Sequence, residues 1–249
     1  PAQHGSCVGS AGDVNGDGYA DVIVGDAMQN TVRIYTGSAS GVSSTETWVL
    51  RPPAGATAGA GFGASCGTAG DFDGDGYADA LIGAPGAGVA YVFFGGPAGP
   101  SAARTWVTEA SAALRRGTAV ASVGDLDGDG RDEIAVGEPV GASVQLHFHN
   151  TVADTFTLLT TPATASSNLG QSLGSADLDG DGLQEVLAGD PGAMRAVAFV
   201  ATTTGTAAYL EWTSRDPSFG ASIAMRRSHR DRLLAWLDAR APRAFGTGR

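Results

Sequence analysis

The feature that most constrains this chain is a nine-residue acidic segment that occurs four times. The copies start at Asp13, Asp71, Asp125 and Asp177 and end at Asp21, Asp79, Glu133 and Glu185. In each copy, side-chain oxygens stand at positions 1, 3, 5 and 9, and glycines at positions 4 and 6 allow the backbone to curl around a centre. This spacing suits a hard cation with six or more oxygen ligands, and calcium fits it best.

The seventh residue of the segment differs in chemistry from copy to copy. This variation indicates that its backbone carbonyl, and not its side chain, is the ligand. Positions 1, 3, 5, 7 and 9 then predict the ligands of four calcium ions. They are Asp13, Asn15, Asp17, Tyr19 and Asp21; Asp71, Asp73, Asp75, Tyr77 and Asp79; Asp125, Asp127, Asp129, Arg131 and Glu133; and Asp177, Asp179, Asp181, Leu183 and Glu185.

The residues that follow each segment distinguish it from an EF-hand, whose loop needs a bidentate acid at position 12 and a helix on each side. Glycine stands at position 13 in all four copies, and three apolar residues precede it, as in Val22-Ile-Val24 before Gly25. Short apolar runs of this kind are typical of buried strands. We therefore expect each acidic segment to form the turn of a β-hairpin.

Further residues recur around the segments, so the repeat is longer than nine residues. A glycine stands eight residues before the first acid in three copies and seven before it in the fourth (Gly5, Gly63, Gly117 and Gly170). A third apolar strand follows Gly-X-Pro, and an aromatic residue comes 35 residues after the first acid, or 31 in the third copy (Trp48, Trp106, Phe156 and Trp212). Each unit is therefore expected to contain four strands.

The first acids lie 58, 54 and 52 residues apart. A period of this size with four strands per unit is typical of propeller blades. The run Gly61-Phe-Gly-Ala-Ser65, followed by an acidic segment and Gly83-Ala-Pro85, closely resembles the FG-GAP repeat of integrin alpha subunits and of many bacterial surface and secreted proteins. The predicted fold is an all-β β-propeller with five blades of about four antiparallel strands, the fifth of them degenerate.

One domain is expected over residues 1–249, with repeats at about 1–58, 59–113, 114–166, 167–216 and 217–249. The fifth repeat begins Ser218-Phe-Gly-Ala-Ser222, but Met225–Arg232 lacks spaced carboxylates, so no calcium site is predicted there. Residues 233–237 are interpreted as its strand, and a helix over 231–240 is the alternative. Because an outer strand would fall beyond Arg249, the ring either closes with a short blade or is completed by further sequence or a second copy.

The resemblance implies a non-catalytic adhesion or ligand-binding module, whose partner is a protein or glycan at the cell surface. A carbohydrate-binding lectin and an accessory domain of a larger secreted enzyme or surface protein are the alternatives. The recurring aromatic residues suit sugar stacking in a lectin, but their spacing is also what outer-strand packing requires. His147 and His149 could face a transition metal, and a polar strand face is the simpler interpretation. Because the paired carboxylates all lie in the acidic segments, the usual candidates for a general acid and base are committed to calcium.

Charge and cysteine content bound the partners and the compartment. The net charge is −11, but 15 of the 26 acidic residues are predicted ligands, so four calcium ions would leave about −3. A nucleic-acid partner is therefore not expected. Cys7 and Cys66 lie in the first strands of adjacent units, where a bridge is possible although the register puts them on different faces of their sheets.

Calcium sites of this kind require extracellular concentrations of the ion, so an extracellular, cell-surface or periplasmic location is expected. The chain shows neither a signal peptide nor a transmembrane run, and its start at Pro1 indicates a processed product or an excised domain. Abundant Ala, Gly and Arg without any lysine is associated with high-GC bacterial coding.

Overall fold

The computed structural model describes residues 4–54, 60–149, 159–160, 168–178, 180, 182–200, 208–215 and 221. These residues form four antiparallel sheets of four strands each, and the strands of every sheet are adjacent in chain order. The strands are β1 (His4–Gly12), β2 (Asp21–Asp26), β3 (Thr31–Tyr35) and β4 (Trp48–Leu50); β5 (Ser65–Gly70), β6 (Asp79–Ala84), β7 (Val89–Phe93) and β8 (Thr105–Val107); β9 (Val120–Gly124), β10 (Glu133–Glu138), β11 (Ser143–His147) and β12 (Leu159–Thr160); and β13 (Ser172–Ala176), β14 (Glu185–Asp190), β15 (Arg195–Val200) and β16 (Ala208–Thr213). Single 3-10 turns occur at Ala112–Leu114 and Pro191–Ala193.

The second strand of each sheet is the apolar run that follows the acidic segment. Every residue of β6, β10 and β14 is buried. All three strands have a partner strand on each edge, and β6 and β10 also have a described sheet on each face, which explains why their buried runs are continuously apolar and not alternating. The predicted hairpins are confirmed, because each acidic segment joins the first and second strands of one sheet.

Two recurring glycines set how closely neighbouring sheets approach. The N–H of Gly63 donates to the carbonyl of Gly83 in its own repeat at 3.0 Å, and Gly117 donates to Gly137 in the same way at 3.1 Å. A Cβ added at Gly83 would collide with the carbonyl oxygen of Gly117 in the next repeat, and one added at Gly25 would collide with that of Gly63. Glycine is therefore required at positions 25 and 83, because the backbone of the next repeat lies directly against each of them.

The core lies in layers between successive sheets. Phe62, Tyr91 and Phe93 of the second repeat pack with Ile23 and Ile34 of the first. Equivalent layers join the second sheet to the third and the third to the fourth. The first strands β1, β5, β9 and β13 contact one another in that order. Sheets that meet through their first strands and pack face to face form a β-propeller, which confirms the predicted fold.

Cys7 and Cys66 form a disulfide between β1 and β5, with their Cα atoms 5.8 Å apart. The two residues do point to opposite faces of their own sheets, as the register indicates. This opposite orientation permits the bridge, because the face of the first sheet that carries Cys7 packs against the face of the second sheet that carries Cys66. Ser65, which aligns with Cys7, accordingly points onward and donates to the carbonyl of Gly117 in the third repeat.

The fifth repeat lies outside the described residues except for Ala221, so its strand, its missing calcium site and the count of five blades stay predictions. The repeat boundaries likewise stay predictions. Within the described residues, no helix is long and apolar enough to span a membrane.

Candidate metal centres

The acidic segments are loops at one end of each sheet, and their shape depends on the two glycines. Gly16 and Gly18 in the first loop have φ of 74° and 90°, and Gly74 and Gly76 in the second have φ of 76° and 89°. The third and fourth loops repeat these values closely. L-residues with a side chain rarely adopt this conformation, so the glycines make the curl that the sequence predicts.

The first acid of each loop organises the backbone behind it. Asp13 Oδ1 accepts the N–H groups of Gly16 at 2.7 Å and Asp17 at 3.0 Å, and Asp13 Oδ2 accepts that of Gly18 at 2.7 Å. Asp71 and Asp125 accept N–H groups of their own loops in the same pattern. The backbone of the loop therefore holds each of these three carboxylates in one orientation.

The last acid of each loop is buried at the start of the second strand. Asp79, which is fully buried, accepts the N–H of Phe72 at 2.9 Å and that of Gly95 at 2.8 Å. Glu133 and Glu185 accept the N–H of the residue at position 2 of their own loops, each at 2.6 Å. Through this hydrogen bond, the last acid links the beginning of the loop to the start of the second strand.

Position 2 of the loop carries a buried apolar side chain, which sequence reasoning did not single out. These side chains are those of Val14, Phe72, Leu126 and Leu178, all at most 4% exposed. Each of them belongs to the hydrophobic core and directly follows the first acid of its loop in the sequence. Their apolar character in all four copies is the signal that would have found them.

Two loops gather three carboxylates into a volume that fits one metal ion. One oxygen from each of Asp71, Asp73 and Asp79 lies within 4.8 Å of the others, and the same holds for Asp125, Asp127 and Glu133. The donors are all carboxylate oxygens, so the sites fit a hard cation and not a soft one.

The first and fourth loops share parts of this arrangement. In the first, Asn15 supplies an amide at position 3 and its Oδ1 accepts the N–H of Asp17 at 3.1 Å. In the fourth, Asp177 accepts the N–H of Gly180 at 2.5 Å, while Asp179 and Asp181 lie outside the described residues. The carbonyl ligands at position 7 stay predictions.

Burial and mutual repulsion make the carboxylates hard to ionise without a cation. Burial raises the pKa of Asp79 to about 7, and the neighbouring charges of Asp73 and Asp75 add to this effect. Burial raises the pKa of Glu133 to about 8, again with help from the other acids of its loop. The loops therefore concentrate more negative charge than the site alone can stabilise.

Arg104, which sequence reasoning missed, contributes a cation to the second loop. Its Nη2 lies 2.7 Å from Asp73 Oδ2 and 3.1 Å from Asp75 Oδ2. Arg104 stands two residues before Trp106, where the first repeat has Glu46 two residues before Trp48. Comparison of the repeats at this position would have shown the difference in charge, but not the contact.

Successive loops also touch one another, which no single repeat predicts. The N–H of Ala78 in the second loop donates to the carbonyl of Asp13 in the first at 3.0 Å, and the N–H of Asp132 in the third donates to that of Asp71 at 3.1 Å. The Tyr77 ring lies against Gly16, where an added Cβ would come within 2.5 Å of it. The loops therefore form a connected row.

The two histidines face the neighbouring sheet. The ring of His147 packs edge-on against Trp106 at 5.3 Å, and that of His149 stacks on Phe72 at 5.4 Å. His147 is buried, which lowers its pKa to about 4. The two side chains thus lie in an interface between sheets, and the interpretation as a polar strand face is wrong for His147.

The tryptophans of the outer strands make contacts that favour packing. Trp48 donates from its Nε1 to the carbonyl of Ala98 in the second repeat at 3.0 Å, and its ring covers Gly99. Trp106 contacts Phe72 of its own repeat and His147 of the next. Trp212 packs beside Leu178 and Leu187. Phe156 lies outside the described residues.

Comparison with known proteins gives one family match. A model of the FG-GAP-like repeat matches residues 13–82, 71–136 and 125–188, which include all four loops. Integrin alpha-PS5 of Drosophila melanogaster is 31% identical over 153 residues, and integrin alpha-IIb of Mus musculus is 38% identical over 94 residues. These segments are 55% and 36% of this chain, but only 15% and 9% of those relatives, so the chain matches a small part of each.

Among solved structures, a periplasmic gluconolactonase of Pseudomonas aeruginosa is similar with a TM-score of 0.53. The match covers 83% of this chain and 57% of that one at 16% sequence identity. At this identity the likeness concerns the fold alone.

Proposed function

Because the chain belongs to the FG-GAP-like repeat family, we propose that it is a calcium-binding propeller module that acts outside the cytoplasm as a non-catalytic adhesion or ligand-binding unit. Calcium binding is supported mainly by the carboxylates that two hairpin loops bring together within 4.8 Å of one another. These are the carboxylates of Asp71, Asp73 and Asp79, and those of Asp125, Asp127 and Glu133. Four ions per chain are proposed, one for each loop.

The residues present fit calcium in charge and in donor chemistry. Each loop offers three or four carboxylates and no nitrogen or sulfur ligand of the kind that softer metals prefer. When bound, calcium would neutralise these charges and link the two strands of the hairpin. The carboxylates would then stabilise the hairpin through the bound ion, which supports a role without catalysis.

A location outside the cytoplasm is supported by two features. The disulfide between Cys7 and Cys66 is of a kind that persists in oxidising compartments. The loops resemble calcium sites that need the free calcium concentrations found outside cells. The similarity to integrin alpha subunits supports a protein or glycan at a cell surface as the partner.

The metal part can be tested by thermal unfolding in calcium and in excess chelator. An ion that binds only the folded state at a hundred times its Kd adds about 2.7 kcal/mol per site. We therefore expect chelation to lower the melting temperature clearly. Asp75→Ala should weaken one site about ten-fold or more, whereas Asp231→Ala, in the repeat without an acidic segment, should leave bound calcium unchanged.

The binding part can be tested by screening the calcium-loaded protein against a glycan array and against immobilised extracellular proteins. A protein ligand whose binding is lost in chelator would support the adhesion role. Selective binding of glycans alone would favour the lectin, and hydrolysis of a lactone or glycoside by the purified chain would contradict the non-catalytic role.

A further inference from the structure

The second acidic loop differs from its neighbours because a guanidinium group already lies on two of its carboxylates. Arg104 Nη2 is 2.7 Å from Asp73 Oδ2 and 3.1 Å from Asp75 Oδ2. In both acids the other oxygen, Oδ1, accepts an N–H of the loop backbone. The guanidinium therefore holds the oxygens that the loop itself leaves available.

Arg104 is held in place by contacts that do not involve these carboxylates. Its Nη1 donates to the carbonyl of Gly95 at 2.9 Å, and its Cζ lies 5.6 Å from the centre of the Phe94 ring. Gly95 in turn donates its N–H to Asp79, the last acid of the same loop. The guanidinium is thus positioned next to the loop by its own sheet.

A cation that binds to this loop must share or displace these contacts. A fixed positive charge a few ångströms away also opposes the approach of a second one. The first repeat has Glu46 at the equivalent position, so this cation is not a general part of the repeat.

On the basis of the proposed calcium function, we propose that the Arg104 guanidinium competes with calcium for the carboxylates of the second loop. It thereby lowers the calcium affinity of this loop and stabilises the loop when calcium is absent. It is a residue that sets the affinity of one site within an otherwise repeated series. The second loop then fills at a higher calcium concentration than its own four carboxylates would require.

The test is a calcium titration by calorimetry of the unsubstituted protein and of Arg104→Gln. Glutamine removes the charge and keeps a polar side chain. Because Arg104 is 50% exposed, water screens part of its effect, and we expect one equivalent of calcium to bind roughly three- to ten-fold more tightly in the variant. In excess chelator, the same variant should melt at a lower temperature than the unsubstituted protein.

Three further variants make the result specific. Arg104→Lys keeps the charge and should keep the affinity low. Arg115→Gln makes the same charge change at an exposed residue beyond the other end of the sheet, and should alter neither affinity nor stability. Asp71→Asn replaces a charged ligand of the second loop with a neutral one and should abolish tight binding at that site, so in that background Arg104→Gln should no longer change calcium binding.

An unchanged or weaker affinity in Arg104→Gln would overturn the inference while leaving the proposed calcium function intact. The same holds for a gain in affinity that persists in the Asp71→Asn background, because the effect would then arise at another site. If the unsubstituted protein bound no calcium, the proposed function and this inference would both fail.

Discussion

In the second and third loops, the last acid is the group whose ionisation is most strongly opposed by burial. Asp79 and Glu133 are almost fully buried at the start of their strands, and each accepts backbone N–H groups that help it to ionise. Burial nevertheless prevails, since their pKa values rise to about 7 and about 8. Without a cation, these two acids are therefore partly protonated near neutral pH.

We expect the calcium-free protein to become more stable as the pH falls from 8 to 6.5. The unfolded pKa values of Asp79 and Glu133 are about 4, so in this window the folded state binds more protons than the unfolded state. By linkage, the free energy of unfolding then rises as the pH falls. The gain should be about 1–2 kcal/mol, or roughly 2–8 °C in melting temperature, measured by calorimetry in excess chelator.

Two controls accompany this prediction. Glu133→Gln should reduce the pH dependence, and saturating calcium should abolish or reverse it because the ion keeps the acids ionised. The window ends at pH 6.5 because, at lower pH, His147 takes up a proton in the unfolded state but not in the folded state, where its pKa is lowered to about 4, and this opposes the gain. A chelated protein that melts higher at pH 8 than at pH 6.5 would contradict the account.

At the residue scale, the sequence predicts the acids well and their neighbours poorly. The spacing of Asp71, Asp73 and Asp79 predicts their acidic cluster because all three lie in one short turn. Arg104 lies 29 residues beyond Asp75 in the sequence, so its contact depends on how the outer strand returns across the sheet.

At the scale of elements, the hairpins are linked across sheets and not only within them. Asp132, the eighth residue of the third loop, accepts the N–H of Asp71 on its Oδ2 at 2.9 Å and donates its own N–H to the carbonyl of Asp71. Asp71 is the first acid of the second loop. One loop therefore orients a proposed ligand of its neighbour.

We expect Asp132→Ala to weaken calcium binding at the second loop by roughly three- to ten-fold, because Asp71 loses the acceptor that fixes its backbone. The site in the third loop should keep its ligands. Calorimetry in the Asp71→Asn background identifies which site changes. Asp132→Asn keeps an acceptor and should largely retain affinity, so an equal loss in both variants would assign the effect to charge and refute the positioning role.

The strands and hairpins could be predicted from the sequence because they follow local patterns. Apolar runs after Asp79 and Glu133 become buried second strands, and the glycines at positions 4 and 6 become the turn. The contacts of Asp132 and Tyr77 with the preceding loop could not be predicted, since they depend on the twist and spacing of adjacent sheets.

At the scale of the whole molecule, one exposed side of the first sheet bears on how the ring closes. Val8, in the first strand of the first sheet, is 67% exposed, although the equivalent strands of later sheets pack against a preceding sheet. If residues 217–249 supply the fifth blade, as the sequence predicts, they should cover this side of the first sheet in solution.

We expect Val8→Asp to destabilise the calcium-loaded protein by about 2 kcal/mol, because closure of the ring would bury this side chain. Val42→Asp, at an exposed residue of a loop, is the matched control and should change stability by less than about 0.5 kcal/mol. Chemical denaturation measures both, with light scattering to establish the oligomeric state. If the protein is a monomer and both variants lower its stability by equal and small amounts, this face of the first sheet stays open. If the protein is a dimer that Val8→Asp dissociates, a second copy covers the face.

Titration calorimetry and elemental analysis of protein dialysed against calcium measure the number of calcium ions bound per chain, which tests the proposed metal sites directly. We expect four ions, because four loops share the ligand spacing of Asp71 to Asp79. A stoichiometry of one or none would contradict this expectation.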